Sequence, residues 1–236
     1  MKIEGTTELM FATAVALAQN GKMKSTIHCG GREIFILNMD NTILIRYDSP
    51  QEFPAPFSLF ANDYESPKIH IQDGKVVFTT AADGVNRTKV CPAPATKYSE
   101  VKAIWSSFSP DKSIPVSLSR AMVSFLEDGL SHVEISKTAG APVKLLQRDI
   151  YSGSRVEIER ASSGVLVDMD DDVAVFGPIG IRTTDLVALF TFTDGLTWYI
   201  QPGKNWVYIE DNTGRMFGVL GTCVYDELGL VEKVEG

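Results

Sequence analysis

Cysteine, histidine, long apolar runs and positive charge are all scarce in this sequence, and each shortage excludes something. The three cysteines, Cys29, Cys91 and Cys223, are isolated from one another and odd in number. Reduced, buried thiols fit that pattern better than a disulfide framework, and no Cys-x-x-Cys metal or redox motif is present. No apolar run approaches the ~18 residues of a membrane span. The start, Met1-Lys2-Ile3-Glu4-Gly5, lacks the basic-then-apolar pattern of a secretion signal, so a cytoplasmic location without a membrane partner is expected. There is no Walker loop, Gly-x-Ser-x-Gly or His-Glu-x-x-His, and His28, His70 and His132 are far apart. No enzymatic activity and no cofactor are expected. Lys and Arg number 22 against 30 Asp and Glu, for a net charge of -8. Nucleic-acid binders are usually basic, so this chain could hold nucleic acid only on a surface where its cations are concentrated.

What is present is ordinary globular material. The 236 residues, 44% hydrophobic and 22% charged, suffice for one large domain or two smaller ones. Alternating and short apolar runs predict an α+β chain rich in strands. A helix is predicted over 7–20, with Thr6 or Thr7 as cap and Asn20-Gly21 as stop. Strands follow at 25–29, 33–38 and 42–47. Ile34-Phe35-Ile36-Leu37 reads as a strand covered on both faces, while Ile43, Ile45 and Tyr47 share one face of the next. Pro50, Pro54 and Pro56 read as a connection and then the first turn of a short helix over 54–64. Asp73-Gly74 joins two strands as a hairpin, and another strand covers 87–91. Residues 92–116, with Pro92, Pro94, Pro110 and Pro115 among serines, read as an extended connector.

The order then restarts. A helix over 117–128, capped by Ser117 or Ser119, leads to strands at 131–136, 142–149, 154–160, 164–168 and 173–176. Thr183 caps a helix over 183–193, and strands at 197–201, 205–210 and 216–224 finish the chain. Two segments can be laid side by side. Phe57-Ser58-Leu59-Phe60 precedes Lys68–Phe78, with Gln72-Asp73-Gly74-Lys75 at the turn. Leu186–Phe190 precedes Trp198–Tyr208, with Gln201-Pro202-Gly203-Lys204 at the turn. Each reads as a short apolar helix, a strand, a Gly-Lys turn and a second strand, and this order predicts a duplication.

In the order and spacing of these features the chain resembles the DNA polymerase sliding clamps, those of tailed bacteriophages in particular and, more distantly, PCNA. The resemblance runs through the helix opening at Thr6-Thr7, Leu59-Phe60, Ile69 and Ile71, Asp73-Gly74-Lys75, and the stretch from Cys91-Pro92 to Ile114-Pro115-Val116. It implies two clamp domains, 1–91 and 117–236, joined by a connector at 92–116. Each would carry two short helices on one face and antiparallel sheets on the other. It also implies a processivity factor: a homotrimeric ring closed head to tail around duplex DNA, without sequence preference, that tethers a DNA polymerase and is opened by a clamp loader. If phage-encoded, it would act in the cytoplasm of a bacterial host. The predicted helices are poor in cations, so the residues expected to face DNA cluster near helix ends: Lys22, Lys24, Lys68, Lys112, Arg120 and Arg182.

Other groups invite other readings. The run Asp168, Asp170, Asp171 and Asp172 lacks the glycine and terminal glutamate of an EF-hand loop and reads as an acidic surface turn. Trp105, Trp198 and Trp206 could stack on single-stranded bases, but Trp198 and Trp206 lie in the two strands of one hairpin and read as a cross-strand pair. The competing reading of the whole is a non-enzymatic β-rich structural or interaction module, such as a virion component.

Overall fold

The computed structural model describes residues 25–38, 41–60, 69–72, 75–82, 85–92, 96–126, 130, 132–137, 143–148, 155–159, 176–190, 193–201, 203–222, 224–225 and 231–232. The helix expected at 7–20, the strand at 164–168 and the acidic turn at 168–172 lie outside them. Two compact units emerge. One comprises Met1–Ser109 with Thr213–Gly218, the other Pro110–Asn212 with Val219–Gly236.

The first unit is built on two long strands, β1 (Ser25–Asn38) and β2 (Ile43–Phe60), paired antiparallel. Their turn is fixed by Asn38, whose Oδ1 accepts from the backbone N–H groups of Thr42 and Ile43, both at 2.9 Å. Asn41 takes the left-handed conformation (φ 55°), which asparagine tolerates well. The ladder runs regularly from Leu37↔Leu44 to Glu33↔Asp48. It then slips twice, between Glu33 and Gly31 and between Gly31 and Cys29, before resuming at Cys29↔Phe57. From Glu33 to Gly31 is two steps on β1 against five on β2, from Asp48 to Phe53. From Gly31 to Cys29 is again two, against four from Phe53 to Phe57. All three prolines of β2, Pro50, Pro54 and Pro56, fall in these irregular stretches. A residue without an N–H is tolerated there because no regular ladder bond is required of it. Gly31, at φ 56°, supplies the left-handed residue of the bulge.

This corrects the helix expected at 54–64 in its described part: residues 54–60 are strand. Phe57 and Leu59 are buried on one face, and Ser58 pairs with His28 across the ladder. A four-residue apolar run has no periodicity to separate helix from strand, and the prolines mark bulges where they were read as a helix start. Segments 57–78 and 186–208 are therefore not equivalent throughout, since the first opens on a strand and the second on a helix.

The three-stranded meander of β3 (Ile69–Gln72), β4 (Lys75–Ala82) and β5 (Val85–Pro92) follows, with Gln72↔Lys75 leaving the two-residue connection expected at Asp73-Gly74. Residues 96–107, read from sequence as part of an extended connector, instead form a twelve-residue helix, α1 (Thr96–Ser107). Tyr98, Val101 and Trp105 recur at helical spacing, and with Phe108 they lie against Phe35, Leu37 and Leu44 of the hairpin. The Phe35 ring is 5.9 Å from Tyr98 and 6.2 Å from Trp105. So Phe35 faces α1 while Ile34 and Ile36 pack on the opposite face, and the expectation of a strand covered on both sides holds. The Tyr98 hydroxyl lies 3.0 Å from the Gly30 carbonyl and 2.8 Å from Glu33 Oε2. A Cβ on Gly30 would come within 2.7 Å of the Tyr98 ring, so the glycine is what lets the helix sit there. Glu33 also meets Lys102 at 2.6 Å and Arg46 at 3.5 Å. Burial raises its pKa, but the hydrogen bonds from Lys102 and Tyr98 outweigh burial and hold the carboxyl below its usual range.

The second unit holds β6 (Pro115–Ser119), α2 (Arg120–Val123), β7 (His132–Lys137), β8 (Lys144–Arg148), β9 (Arg155–Glu159), β10 (Phe176–Arg182), α3 (Thr183–Leu189), β11 (Gly195–Ile200) and β12 (Trp206–Asp211). Residues 219–221 of β13 (Met216–Gly221) belong to it as well, and β14 (Val224–Tyr225) pairs with β15 (Val231–Glu232). One sheet has the order β10-β7-β8-β9, and β13-β12-β11-β6 run side by side in another. The helix expected over 117–128 is shorter, because Pro115–Ser119 is strand paired with β11. Ser119 caps α2, its hydroxyl accepting from Met122 N–H. Trp198 is fully buried with Ile209 and Val116 as its cross-strand partners, as expected of a packing residue, and Tyr199↔Tyr208 form a cross-strand aromatic pair.

His28 lies buried in the first unit. Its Nε2 is 2.9 Å from Thr26 Oγ1 and its Nδ1 2.8 Å from Ser58 Oγ. Thr26 gives its own proton to the Leu37 carbonyl, so Nε2 is the protonated nitrogen and Nδ1 accepts from Ser58. Burial, helped by the charge of Lys97, lowers the His28 pKa to about 4. A histidine that protonates less readily when folded contributes stability present above the unfolded value near 6.5, and lost as pH falls from there toward 4. We expect its share of the loss between pH 7 and pH 5 to reach about 2 kcal/mol, read from urea midpoints. His28→Gln should remove that share, leaving the smaller slope of His132, which is lowered by its own burial and by Arg182.

Candidate functional site

The six cations expected to face DNA divide in two. Lys22, Lys24 and Lys68 lie outside the described residues. Lys112, Arg120 and Arg182 are all in the second unit, and each is engaged within the protein.

Arg120 opens α2. Its Nε donates to the carbonyl of Phe190 at 3.0 Å and its Nη2 to that of Thr193 at 3.1 Å, while Asp194 lies 3.3 Å from Nη1. The Arg120 guanidinium thus serves the carbonyl of Phe190, the residue just past α3, and that of Thr193 three residues further on. It thereby ties the start of α2 to the end of α3. Arg182 pairs with Asp185 at 2.9 Å and stands opposite His132 in the β7–β10 ladder. Lys112 precedes β6. Its ammonium pairs with Glu210 and lies 5.5 Å from the ring centres of both Tyr199 and Tyr208. Lys112 lies before β6 and Arg120 follows it, and they engage different partners, Glu210 and the carbonyls of Phe190 and Thr193. The two are not gathered into one patch.

The segment carrying Lys112 is also fastened. The Gln201 side-chain amide accepts from Asp111 N–H at 2.8 Å and donates to the Asp111 carbonyl at 2.6 Å, as a peptide group would in a ladder. Ile200 N–H donates to the Ile114 carbonyl at 3.0 Å. Burial and the adjacent Glu210 charge raise the Tyr199 pKa, which keeps the phenol neutral. Sequence reasoning missed this assembly because Lys112 and Glu210 are 98 positions apart, beyond any local pattern.

Among the strands that end the described sheets, β5 and β9 lie one in each unit. β5 closes the meander of the first unit and β9 the four-stranded sheet of the second. Val85 and Val90 of β5 are 69% and 53% exposed. Exposed valines on a terminal strand are unusual without a partner, since such an edge invites pairing.

No protein-family model matches the sequence, and no curated protein matches it. Solved structures do. DNA polymerase III subunit beta from Borrelia burgdorferi aligns with a TM-score of 0.62 at 11% identity over 96% of this chain, which spans 64% of that protein's length. Proliferating Cellular Nuclear Antigen from Entamoeba histolytica aligns at 0.57 and 9% identity over 92% of this chain and 96% of its own. A chain of the PCNA2-PCNA3 complex from Sulfolobus tokodaii aligns at 0.60 and 10% identity over 94% and 99%. At such identities the likeness shows the fold alone. This chain has a sliding-clamp fold, sheet-rich with few helices.

Removing the Arg120 guanidinium leaves the Phe190 and Thr193 carbonyls without this donor. Arg120→Ala should cost about 1 kcal/mol in the urea unfolding midpoint, and Arg120→Lys should recover little, because one ammonium cannot serve both carbonyls in that geometry.

Proposed function

We propose that this chain is a subunit of a DNA sliding clamp of the bacteriophage type. It closes into a ring around duplex DNA and tethers a DNA polymerase, with a clamp loader to open the ring. The observation that carries this reading is the whole-length match. The chain aligns over 92–94% of itself with PCNA chains, and covers 96–99% of theirs. It aligns with about two thirds of the longer beta subunit. A subunit of PCNA length in two compact units, with the chain passing from one to the other at Ser109–Pro110, makes a trimer the matching assembly.

The function is physical. A closed ring cannot leave DNA sideways, so retention needs little attraction, and a net charge of -8 is then tolerable. Lys22, Lys24 and Lys68 are the proposed phosphate contacts. Lys112, Arg120 and Arg182 reach phosphate only by releasing the partners described above. Head-to-tail closure requires two different edges that fit. β5 reads Val85-Asn86-Arg87-Thr88-Lys89-Val90, and β9 reads Arg155-Val156-Glu157-Ile158-Glu159. The cations Arg87 and Lys89 of β5 and the carboxylates Glu157 and Glu159 of β9 suit antiparallel pairing of β5 from one copy with β9 of the next.

Light scattering after size exclusion should give three times the 25.9 kDa subunit mass, and the Val85→Glu, Val90→Glu double variant should shift the protein to monomer without loss of circular-dichroism signal. Once loaded, the wild type should remain on circular DNA and run off a linearised template. A strictly monomeric wild type at micromolar concentration, or equal retention on both templates, would count against a ring and favour an interaction module with the same fold.

A further inference from the structure

We propose that Asp194-Gly195 is a site of spontaneous covalent modification, conversion of Asp194 to isoaspartate, and that Arg120 restrains it. The reaction needs no enzyme and no partner. The Gly195 backbone nitrogen attacks the Asp194 Cγ, and the carboxyl hydroxyl leaves with the amide proton as water. The succinimide ring then takes up water at one of its two carbonyls. Opening at the former main-chain carbonyl leaves isoaspartate, in which the chain runs through the side chain and is one methylene longer. Glycine favours closure because it sets no side chain beside the attacking nitrogen. The Asp194 side chain is 89% exposed and stands just before β11. The Arg120 N–H donates to the Asp194 carbonyl at 3.0 Å. Bonded and non-bonded pairs alternate in an antiparallel ladder, so the next pair, Ser119↔Gly195, leaves the Gly195 amide pointing away from β6. Pairing with β12 begins one residue later, at Leu196↔Asp211. Two features hold the reaction back. Arg120 fixes the Asp194 carbonyl through its N–H and lies 3.3 Å from Asp194 Oδ1 through Nη1. Gly195 is buried, with the Asn212 side chain so close that its Nδ2 would lie 2.6 Å from a Cβ at 195, and closure therefore awaits a local opening. After conversion the carbonyl that served Arg120 is a free carboxylate, and the entry of the chain into β11 is altered.

The test is a timed incubation of the full chain in neutral buffer, followed by trypsin. Cleavage after Arg182 and Lys204 releases the peptide Thr183–Lys204, in which Asp194-Gly195 is the sole Asp-Gly pair. Isoaspartate at 194 should accumulate as a peptide of unchanged mass and altered retention, located by electron-transfer fragmentation. Asp194→Glu should not yield it, because the larger ring closes far more slowly. Arg120→Ala should raise the rate about fivefold, the factor that matches loss of a typical hydrogen-bonded tie. Asp73-Gly74, Asp83-Gly84 and Asp128-Gly129 serve as internal references and should keep their wild-type rates. The proposal is overturned if native wild type forms no isoaspartate at 194 in the time that the same chain in urea converts half of it. It is overturned equally if Arg120→Ala leaves the rate at 194 unchanged, or raises the rate at every Asp-Gly pair alike, the mark of general unfolding. Should Arg120→Ala not fold, Arg120→Lys takes its place, and the wild-type arm decides the site by itself. All of these readouts are independent of whether the protein encircles DNA.

Discussion

A proline has no amide hydrogen to give a neighbouring strand, and β2 carries three of them. The first unit is organised around how that deficit is absorbed. The β1–β2 ladder slips twice, and Pro50, Pro54 and Pro56 lie where it slips. The slips set the register beyond them, and that register brings Ser58 opposite His28. They also create the bend at Gly30 and Gly31, against which α1 is seated by Tyr98. A regular ladder would demand donors that the sequence does not have.

Charge in the second unit follows a different logic. Three of its described cations are spent internally, Arg120 on the carbonyls of Phe190 and Thr193, Arg182 on Asp185 and Lys112 on Glu210 beside two tyrosines. A surface of that kind attracts a polyanion weakly. A ring that holds DNA by topology has no need of strong attraction, and strong attraction would slow sliding. On the ring reading proposed above, the acidic balance is no obstacle, although a conventional DNA-binding surface would have to be basic.

How much of this was legible in the sequence depended on the range of the determining contact. Both faces of Ile34–Ile36, the two-residue turn after Gln72 and the Ser119 cap are set by residues within a few positions, and the pattern of the chain carries them. The strand at 54–60 was not legible, because Pro54 and Pro56 favour a helix start as readily as a bulge. Only the distant partner strand decides between them. The helix α1 was legible in principle, since Tyr98, Val101, Trp105 and Phe108 fall on one face, but the surrounding prolines and serines masked it. The Lys112 assembly was not, because its parts come together only when β11 and β12 bring Tyr199, Tyr208 and Glu210 to one end of the hairpin. The cations at helix ends were visible as residues, while their engagement with carbonyls and carboxylates was not.

The fit of Tyr98 against Gly30 bears on how such a sequence can drift. The fold is shared with its structural neighbours at around one identical residue in ten. These two positions are not free independently. A larger residue at 30 collides with the ring at 98, and a smaller one at 98 opens a void over Phe35 and removes the hydroxyl that Glu33 receives. Substitutions at the two sites must arrive together or in compensating order. The pair is thus a single steric unit split between a strand and a helix 68 positions apart, and neither half is replaceable without the other.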